Sequence, residues 1–564
     1  MITSPQSRID EYTTKGWWGN KTLHSLLSDK VAQHPQSLAV ADQPNRIDFD
    51  GNPCQRLSYA ELSFAACNLS EQLLCAGIVC GDKVIVQLPN ITELVVTYYA
   101  LSQIGAIVSP VPIQYGRHEL NEIQSSLQSK HLISIERFAK LRLADKAREL
   151  SIKVLCFGED GNSADLTIDS SASNHPSLDK YREKHADVIS DANRILSICW
   201  TSGTTGTPKG VPRSHNMWLS TTQAVIDACE YQDQDALLNP FPLINMAAIG
   251  GFLFPAVVHG CALHLHHPFD PAVYLQQLQS EKINFTIAPP AVLNQLAKAP
   301  DMWNAFDFSH LRCVGSGSAP LAPWMIETFS QKYGKEVINF YGSNEGICLL
   351  SNQQIAPTPE QRASMFPRLG AEGIAWKGDV YEFAKTKVAD PETGAIITGS
   401  GLAGELLING PTIFDGYYGS QSDTQVFSPD GYFRTGDLVE ICGQPPHYYK
   451  IVGRCKDIIN RGGVKISPTE LDQLLEGFAG LQEAAVCAYN DTRLGEKVCA
   501  CIVVTEDQAT PTLQDITAYL DQHGVAKYKL PERLEVFDQL PRNPMNKVLR
   551  FELSDAVNQR QSKT

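Results

Sequence analysis

The 564-residue chain has no surplus of positive charge. Its 47 lysines and arginines face 62 aspartates and glutamates, a formal balance of −15. Binding that neutralises phosphates over a broad surface needs clustered cations, so this balance speaks against a nucleic-acid or anionic-membrane binder and for solubility. Apolar runs long enough to span a bilayer are also missing. The longest weakly polar stretch, 246–258, falls short of the ~20 residues a spanning helix needs. It also holds Pro255 and two glycines, so it reads as buried core. The N-terminus shows no apolar signal segment. The 15 cysteines include no C-x-x-C pair, and the closest spacing is Cys499 and Cys501. That argues against a zinc ribbon or a small disulfide scaffold, and for buried free thiols in a reducing cytoplasm. G-x-S-x-G and H-E-x-x-H are both missing, which removes the serine-elbow and zinc-hydrolase readings.

What is present is a globular composition, 43% hydrophobic and 19% charged, over a length that implies several domains. Residues 84–88 (VIVQL) read as a buried strand. Ile91, Leu94, Val95, Tyr98, Leu101 and Ile104 recur at three- and four-residue spacing, as one apolar helix face does. A strand at 106–110 and a helix at 117–128 follow. This alternation implies parallel pairing and an α/β architecture. Residues 158–190 are polar and read as a surface excursion. Between about 400 and 450, turn signals such as GYYG, SPDGYF and GQPPH divide short strands, which points to an antiparallel, barrel-like part. Beyond 453 a helix after Ser467-Pro468, strands at AAVCAYN and KVCACIVV, and a helix at 513–523 make a small α+β domain of ~110 residues.

The most informative segment is Thr201-Ser202-Gly203-Thr204-Thr205-Gly206-Thr207-Pro208-Lys209-Gly210, which follows the apolar run 195–200. A strand leads into a loop of small and hydroxyl residues and then a lysine. Glycine lets backbone N–H groups approach phosphate oxygens, the hydroxyls add donors, and Lys209 adds a compact charge. It is not a Walker loop, because Pro208 precedes the lysine and Gly210 follows it.

This string resembles the signature of the adenylate-forming, acyl-activating (AMP-binding) superfamily, which includes acyl-CoA synthetases and aryl-acid AMP ligases. Further blocks agree in order. Gly315-Ser316-Gly317-Ser318-Ala319-Pro320 resembles the family's small-residue turn beside adenine. Asn339-Phe340-Tyr341-Gly342-Ser343-Asn344-Glu345 resembles its Y-G-x-T-E segment, with Asn344 where Thr is usual. Asp437 in Arg434-Thr435-Gly436-Asp437 matches the ribose-binding aspartate, and Ile451 and Arg454 complete the nucleotide set. Lys456 matches the hinge residue, and Arg461-Gly462-Gly463 the loop near the pantetheine path. Lys547 in Pro541-Arg542-Asn543-Pro544-Met545-Asn546-Lys547 matches the catalytic lysine, with Asn546 where Gly is usual. With N-terminal strings such as KGWWGNKTLHSLL, the resemblance covers nearly the whole chain.

The resemblance implies an N-terminal adenylating domain at 1–453, built of α/β layers plus a small barrel-like part, and a mobile lid at 454–564 with its hinge near Lys456. It implies ATP and Mg²⁺, with Glu345 and Thr204 as metal residues and Lys547, Glu345 and Lys209 as catalytic residues. A substrate carboxylate attacks the α-phosphorus of ATP, and a thiol then takes the acyl group. The acid pocket falls on Asn216, Asn245, Met246, Gly250, Gly251, Ser316, Gly317, Gly342 and Ile347. These segments project no charged side chain toward the acid, which favours an uncharged hydrophobic acid, medium-chain, alicyclic or aromatic. CoA is the expected acceptor. An acyl or aryl carrier protein bearing phosphopantetheine is the alternative, and a non-catalytic binder that kept the fold is the alternative of another class. A homodimer is left open.

Overall fold

The structure is a computed structural model that describes residues 1–158, 165–201, 208–376, 378, 380–419, 426–543 and 547–561. It is a mixed α/β protein of two compact units. One comprises Met1–Lys385 with Asn409–Phe427, the other Thr386–Ile408 with Ser428–Thr564.

The first unit holds two large sheets. One runs in the order Cys348–Ser351, Glu336–Gly342, Cys313–Gly317, Phe285–Ile287, Ala236–Asn239, Ala262–Leu265, Leu38–Ala41, Arg56–Ser58, parallel in its centre and antiparallel at both edges. The other runs Lys209–Ser214, Ile195–Thr201, Ile107–Pro110, Lys83–Gln87, His131–Ile135, Lys153–Phe157, with only the first pair antiparallel. The run 84–88 is apolar without alternation because both faces of its strand are covered, the normal state of a parallel sheet.

The helix expected from the 91–104 spacing is Thr92–Gln103, and every one of its residues is buried. Its spacing marks one apolar face, but the helix lies in a core fed from both sheets, including Val84 and Val108 from one and Leu237 and Phe285 from the other. Its polar N-terminus is satisfied internally. Asp42 Oδ1 accepts from Thr92 N and Oγ1 at 2.7 and 2.9 Å, a carboxylate at the positive end of a helix. Arg46 then joins three carboxylates, Asp42 at 2.6 Å, Asp50 at 2.9 Å and Glu93 at 2.7 Å, all buried. Burial opposes the Arg46 charge, but Glu93 and the two aspartates override it and raise its proton affinity.

The second unit holds two smaller sheets. The turn-rich stretch forms an open antiparallel array in the order Tyr448–Arg454, Phe433–Cys442, Ala403–Asn409, Lys385–Ala389, Ile396–Ile397. The other sheet pairs Val464–Ile466, Ile459–Arg461, Gly495–Val504 and Leu481–Asp491, with Arg533–Val536 parallel to Gly495–Val504. Helices Pro468–Leu475 and Leu513–Gln522 cover one face through Leu471, Leu475, Ile516 and Leu520. Helix Arg550–Gln561 covers the other through Leu553 and Val557. Among the described residues no helix is long and apolar enough to cross a membrane.

Arg46→Met strands three buried carboxylates without a cation. It should cost about 3–5 kcal/mol, read as a lower midpoint for the first unit in denaturant unfolding followed by tryptophan fluorescence. An unchanged midpoint would show that the carboxylates are held by other means.

Candidate active site

The strands that flank the expected phosphate loop, Ile195–Thr201 and Lys209–Ser214, pair antiparallel, with Lys209 opposite Thr201 at the mouth of the pair. Ser202, Gly203, Thr204, Thr205, Gly206 and Thr207 lie outside the described residues. At the mouth, the Lys209 ammonium lies 4.6 Å from the centre of the Tyr417 ring, a cation–π contact. The Tyr417 hydroxyl donates to Glu345 Oε1 at 2.9 Å. Tyr418 N donates to Gly210 O at 2.8 Å, and Phe414 N to Glu345 O at 2.9 Å. Lys209 and Glu345, 136 residues apart in sequence, are thus brought together by Tyr417, which sequence reasoning passed over as part of the turn string GYYG.

The small-residue turn and the aromatic block are neighbouring strand ends. Ser316 pairs with Asn339, and Gly317 with Phe340, in parallel register. Ligands of open α/β sheets gather at the carboxyl ends of such strands. A Cβ at Gly317 would fall 2.2 Å from Phe340 O, so only glycine lets these strands approach. Ser316 Oγ donates to Ala288 O at 2.8 Å, and Asn339 Nδ2 donates to Arg362 O and Ala363 O, both at 3.0 Å. Both side chains therefore brace the turn from behind. Ser318, with φ 67°, Ala319 and Pro320 are exposed at its tip. Tyr341 packs on Phe366 with ring centres 5.5 Å apart.

Asn344, the departure from the family's threonine, has a structural reason. Its Oδ1 accepts from Met246 N at 2.8 Å and its Nδ2 donates to Trp200 O at 3.4 Å. An amide can accept and donate at once along one plane, so it clamps the start of the 246–258 segment to the strand that feeds the phosphate loop. Beneath it lies Arg213, wholly buried. Its guanidinium donates to Asn344 O at 3.3 Å, Thr412 O at 2.6 Å, Met217 O at 3.0 Å and Thr221 Oγ1 at 2.7 Å, and lies over Trp218. Burial pushes its proton affinity down to about 10. Gly346, at φ 111°, meets the same Thr412: a Cβ there would stand 2.0 Å from Thr412 O. Among the described residues the buried Ser343 Oγ has no hydrogen-bond partner within the protein.

Of the expected acid-pocket residues, Asn245 caps the short helix Met246–Ala248 by accepting from Ala248 N at 3.3 Å. A π-helical turn, Ile249–Leu253, follows. Such turns reorient side chains and often mark functional sites. Gly250 packs on Thr221 and Trp218, and a Cβ there would meet Thr221 Cγ2 at 2.8 Å. Gly251 is different. It is buried, yet a Cβ there would meet nothing within 4 Å. Buried backbone facing open space marks an internal void. Ile347 is buried, and Gly342 is exposed with Ile347 O 2.9 Å from where its Cβ would stand. The hydrogen bonds of Asn216 run elsewhere, to Gly19 N and O at 3.0 Å and to Asn193 Oδ1 at 2.9 Å. It fastens the N-terminal segment to helix His215–Cys229 and is not joined to the Asn344–Met246 clamp.

In the second unit the structure gathers Asp437, Arg454 and Lys547. Asp437 faces Arg454 across the ladder Phe433–Cys442/Tyr448–Arg454, and Arg454 Nε lies 2.8 Å from Asp437 Oδ1. Arg434 and Gly436 N bind Glu405 at 2.6 and 3.1 Å, which fixes the turn before Asp437. Ile451 lies on the same ladder opposite Val439, and Lys456 is exposed just beyond it. Lys547 closes a loop in which its N–H donates to Asn543 Oδ1 and Asn543 N–H donates to its carbonyl, both at 2.9 Å. Residues 544–546, Asn546 included, lie outside the described residues. Lys547 is exposed, but protein mass around its ammonium, and then Arg454, hold its proton affinity below the ordinary 10.5. The solvent it keeps on one side moderates that shift. Arg461 makes a two-pronged pair with Glu532, both contacts at 2.9 Å, and Gly462 and Gly463 turn the chain with φ of 60° and 90°.

The chain belongs to the AMP-binding enzyme family. The family's profile matches residues 27–418, and that of the AMP-binding enzyme C-terminal domain matches 470–547. Triostin synthetase I of Streptomyces triostinicus is 32% identical over 97% of each chain. Medium-chain fatty-acid–CoA ligase of Escherichia coli is 28% identical over 99% of this chain and 94% of its own. The crystal structure of ATP-bound MatB from Rhodopseudomonas palustris aligns at a TM-score of 0.75 and 25% identity, over 95% of this chain and 99% of that one. Relatives thus include acid–CoA ligases and, elsewhere in the group, aryl-acid AMP ligases. Enzymes of this family are ligases that form adenylates, and their solved structures include forms with ATP and with magnesium.

Asn344→Thr replaces the two amide atoms that reach Met246 N and Trp200 O with a single hydroxyl on a shorter side chain, so one of the two contacts should be lost. Leaving a buried backbone group unmet should cost about 1–3 kcal/mol, seen as a lower unfolding temperature by scanning calorimetry. No change would mean the clamp is redundant.

Proposed function

We propose that this protein activates an uncharged, hydrophobic carboxylic acid as its acyl-adenylate and transfers the acyl group to CoA, releasing pyrophosphate and then AMP. The observation that carries the choice of acid is the void beside Gly251. Gly251 sits among the buried Ile249, Gly250, Phe252 and Leu253, all apolar or small, and a charged tail buried there would need a partner. In the first step a carboxylate oxygen forms a bond to the α-phosphorus while the bond to pyrophosphate breaks. In the second, a thiolate forms the thioester bond and the acyl–AMP bond breaks. Little covalent work falls to the protein. Positioning and charge neutralisation carry the reaction.

In this reading Lys209 and the loop hydroxyls grip the departing phosphates. The Ser343 hydroxyl, without a partner among the described residues, and the exposed turn at 318–320 would line the nucleotide site, and Asp437 and Arg454 would hold the ribose. Glu345 is a hard oxygen donor of the kind magnesium takes. With Thr204 it would hold Mg²⁺, which supplies neutralisation of phosphate charge. Lys547 bridges the carboxylate and the α-phosphate. The chain would divide at 453 with a lid turning on Lys456, lead the thiol past Arg461, Gly462 and Gly463, and act in the cytoplasm. A phosphopantetheinyl carrier protein is the second acceptor reading, favoured by relatives of the aryl-acid AMP ligase kind at similar identity.

Acid-dependent ATP–pyrophosphate exchange over a panel of carboxylates tests the reading. The productive acids are then run with CoA and with a phosphopantetheinylated carrier. Exchange with no acid on the panel would sink it, and thioester formed only on the carrier would decide for the second acceptor.

Gly251→Leu should fill the void and lower kcat/KM for the bulkiest productive acid by roughly 10- to 200-fold, with short acids spared. Uniform loss across the panel would place the pocket elsewhere. Lys547→Ala should slow adenylation by roughly 10²–10³ and spare thioester formation from supplied acyl-AMP. Equal loss in both half-reactions would overturn its role. Because the ammonium form is the active one and its proton affinity is lowered, exchange should fall with rising pH below 10.5. Lys547→Arg should move that alkaline limb upward, and an unmoved limb would assign it to another group.

A further inference from the structure

Strands Leu481–Asp491 and Gly495–Val504 form a long antiparallel ladder in which Cys487 stands opposite Cys499, and Ala485 opposite Cys501. Side chains alternate between the faces. Val486, Val498 and Ala500 join the core beneath Leu513–Gln522, while Cys487, Cys499 and Cys501 join the core beneath Arg550–Gln561, with Leu553 and Val557. Their three sulfurs lie within 4.8 Å of one another, the Cys487–Cys501 pair at 3.7 Å, and all three residues are buried. Three sulfurs held about 2.3 Å from one ion stand roughly 3.8–4.0 Å apart, so only a slight closing of this triangle would seat one.

We infer that Cys487, Cys499 and Cys501 form a three-thiolate site for a soft cation of low coordination number, copper(I) being the representative. Magnesium and calcium take oxygen donors. Zinc takes four ligands in structural sites, and among the described residues no histidine, aspartate or glutamate joins the three thiols. Thiolates select copper(I) among the common soft ions. Binding exchanges three thiol protons for one cation, and no electron moves. The site stands apart from the adenylating chemistry, and its existence does not depend on the function proposed above. One helix, Arg550–Gln561, covers it, and local opening of that helix would admit the ion.

The full chain, reduced and anaerobic, is titrated with copper(I) presented as its bicinchoninate complex. One copper per chain should pass to the protein. Cys487→Ser, Cys499→Ser and Cys501→Ala should each abolish transfer, while Cys156→Ala, a buried cysteine of the other unit, should leave it unchanged. Since a core substitution can unfold its domain, two measurements on the unaltered protein stand beside these. Stoichiometric copper(I) should raise the unfolding temperature, and X-ray absorption should show a shell of three sulfurs. No transfer, transfer that survives loss of the three thiols, no thermal shift, or a shell containing nitrogen or oxygen would each overturn the assignment.

Discussion

A guanidinium buried with no ion-paired carboxylate among the described residues organises the first unit. Arg213 sits in the strand Lys209–Ser214 and gives four of its protons to three backbone carbonyls and one hydroxyl, from residues 344, 412, 217 and 221, while its Nε has no partner among the described residues. Removing a cation from water is costly, and the cost is offset as far as its donors are met in fixed geometry. Because three of the four acceptors are main-chain atoms, meeting them fixes backbone rather than rotamers. The loop bearing Asn344 and Glu345 is held against the segment bearing Thr412, Phe414 and Tyr417. Gly346 has no room for a side chain there because its neighbour is Thr412 O. Glu345 then meets Tyr417, and Tyr417 meets Lys209. The functional groups at this mouth owe their positions to one ion that none of the expected ligands would touch.

The overall charge of −15 does nothing for such a site. On the proposed function ATP, CoA and a carboxylate are all anions, so attraction would have to be local. Each unit offers one candidate cation: Lys209 on its aromatic ring, and Lys547 crowded by Arg454 and tempered by Asp437 and Asp457. Three carboxylates without such roles are buried around Arg46: Asp42 caps a helix, and with Asp50 and Glu93 it closes an internal network.

Much of this was legible in the sequence, for physical reasons that also define where legibility stopped. The strands at 83–87 and 107–110 and the helices at 92–103 and 117–127 follow from period and apolar content. Period reports which face is apolar, however, and not how many neighbours arrive, so the complete burial of Thr92–Gln103 was invisible. Motif order gave the family because phosphate, ribose and adenine each constrain a short contiguous string. Tyr417 escaped because its partners, Lys209 and Glu345, lie far away in the chain and its own neighbours are ordinary turn residues. Nothing in the sequence signals that Asn216, expected in the acid pocket by position, uses its amide to bind Gly19 and Asn193. The three thiols escaped because two lie two residues apart on one strand and the third is reached only through strand pairing. No spacing rule written along a single chain finds them.

That pairing has a consequence for how this region can change. Past the irregularity between Leu481 and Glu483, odd-numbered residues of the ladder Leu481–Asp491/Gly495–Val504 such as Ala485, Cys487, Tyr489, Cys499 and Cys501 face one helix, and even-numbered ones such as Val486, Val498 and Ala500 the other pair. One residue inserted within either strand would exchange the two sets over the rest of that strand. Insertions that lengthen a surface hairpin at its tip are ordinarily tolerated. One inserted a few positions away, inside the strands, would have to be absorbed by a bulge like that between Leu481 and Glu483 or would turn the cysteines and the apolar residues beside them to the opposite faces.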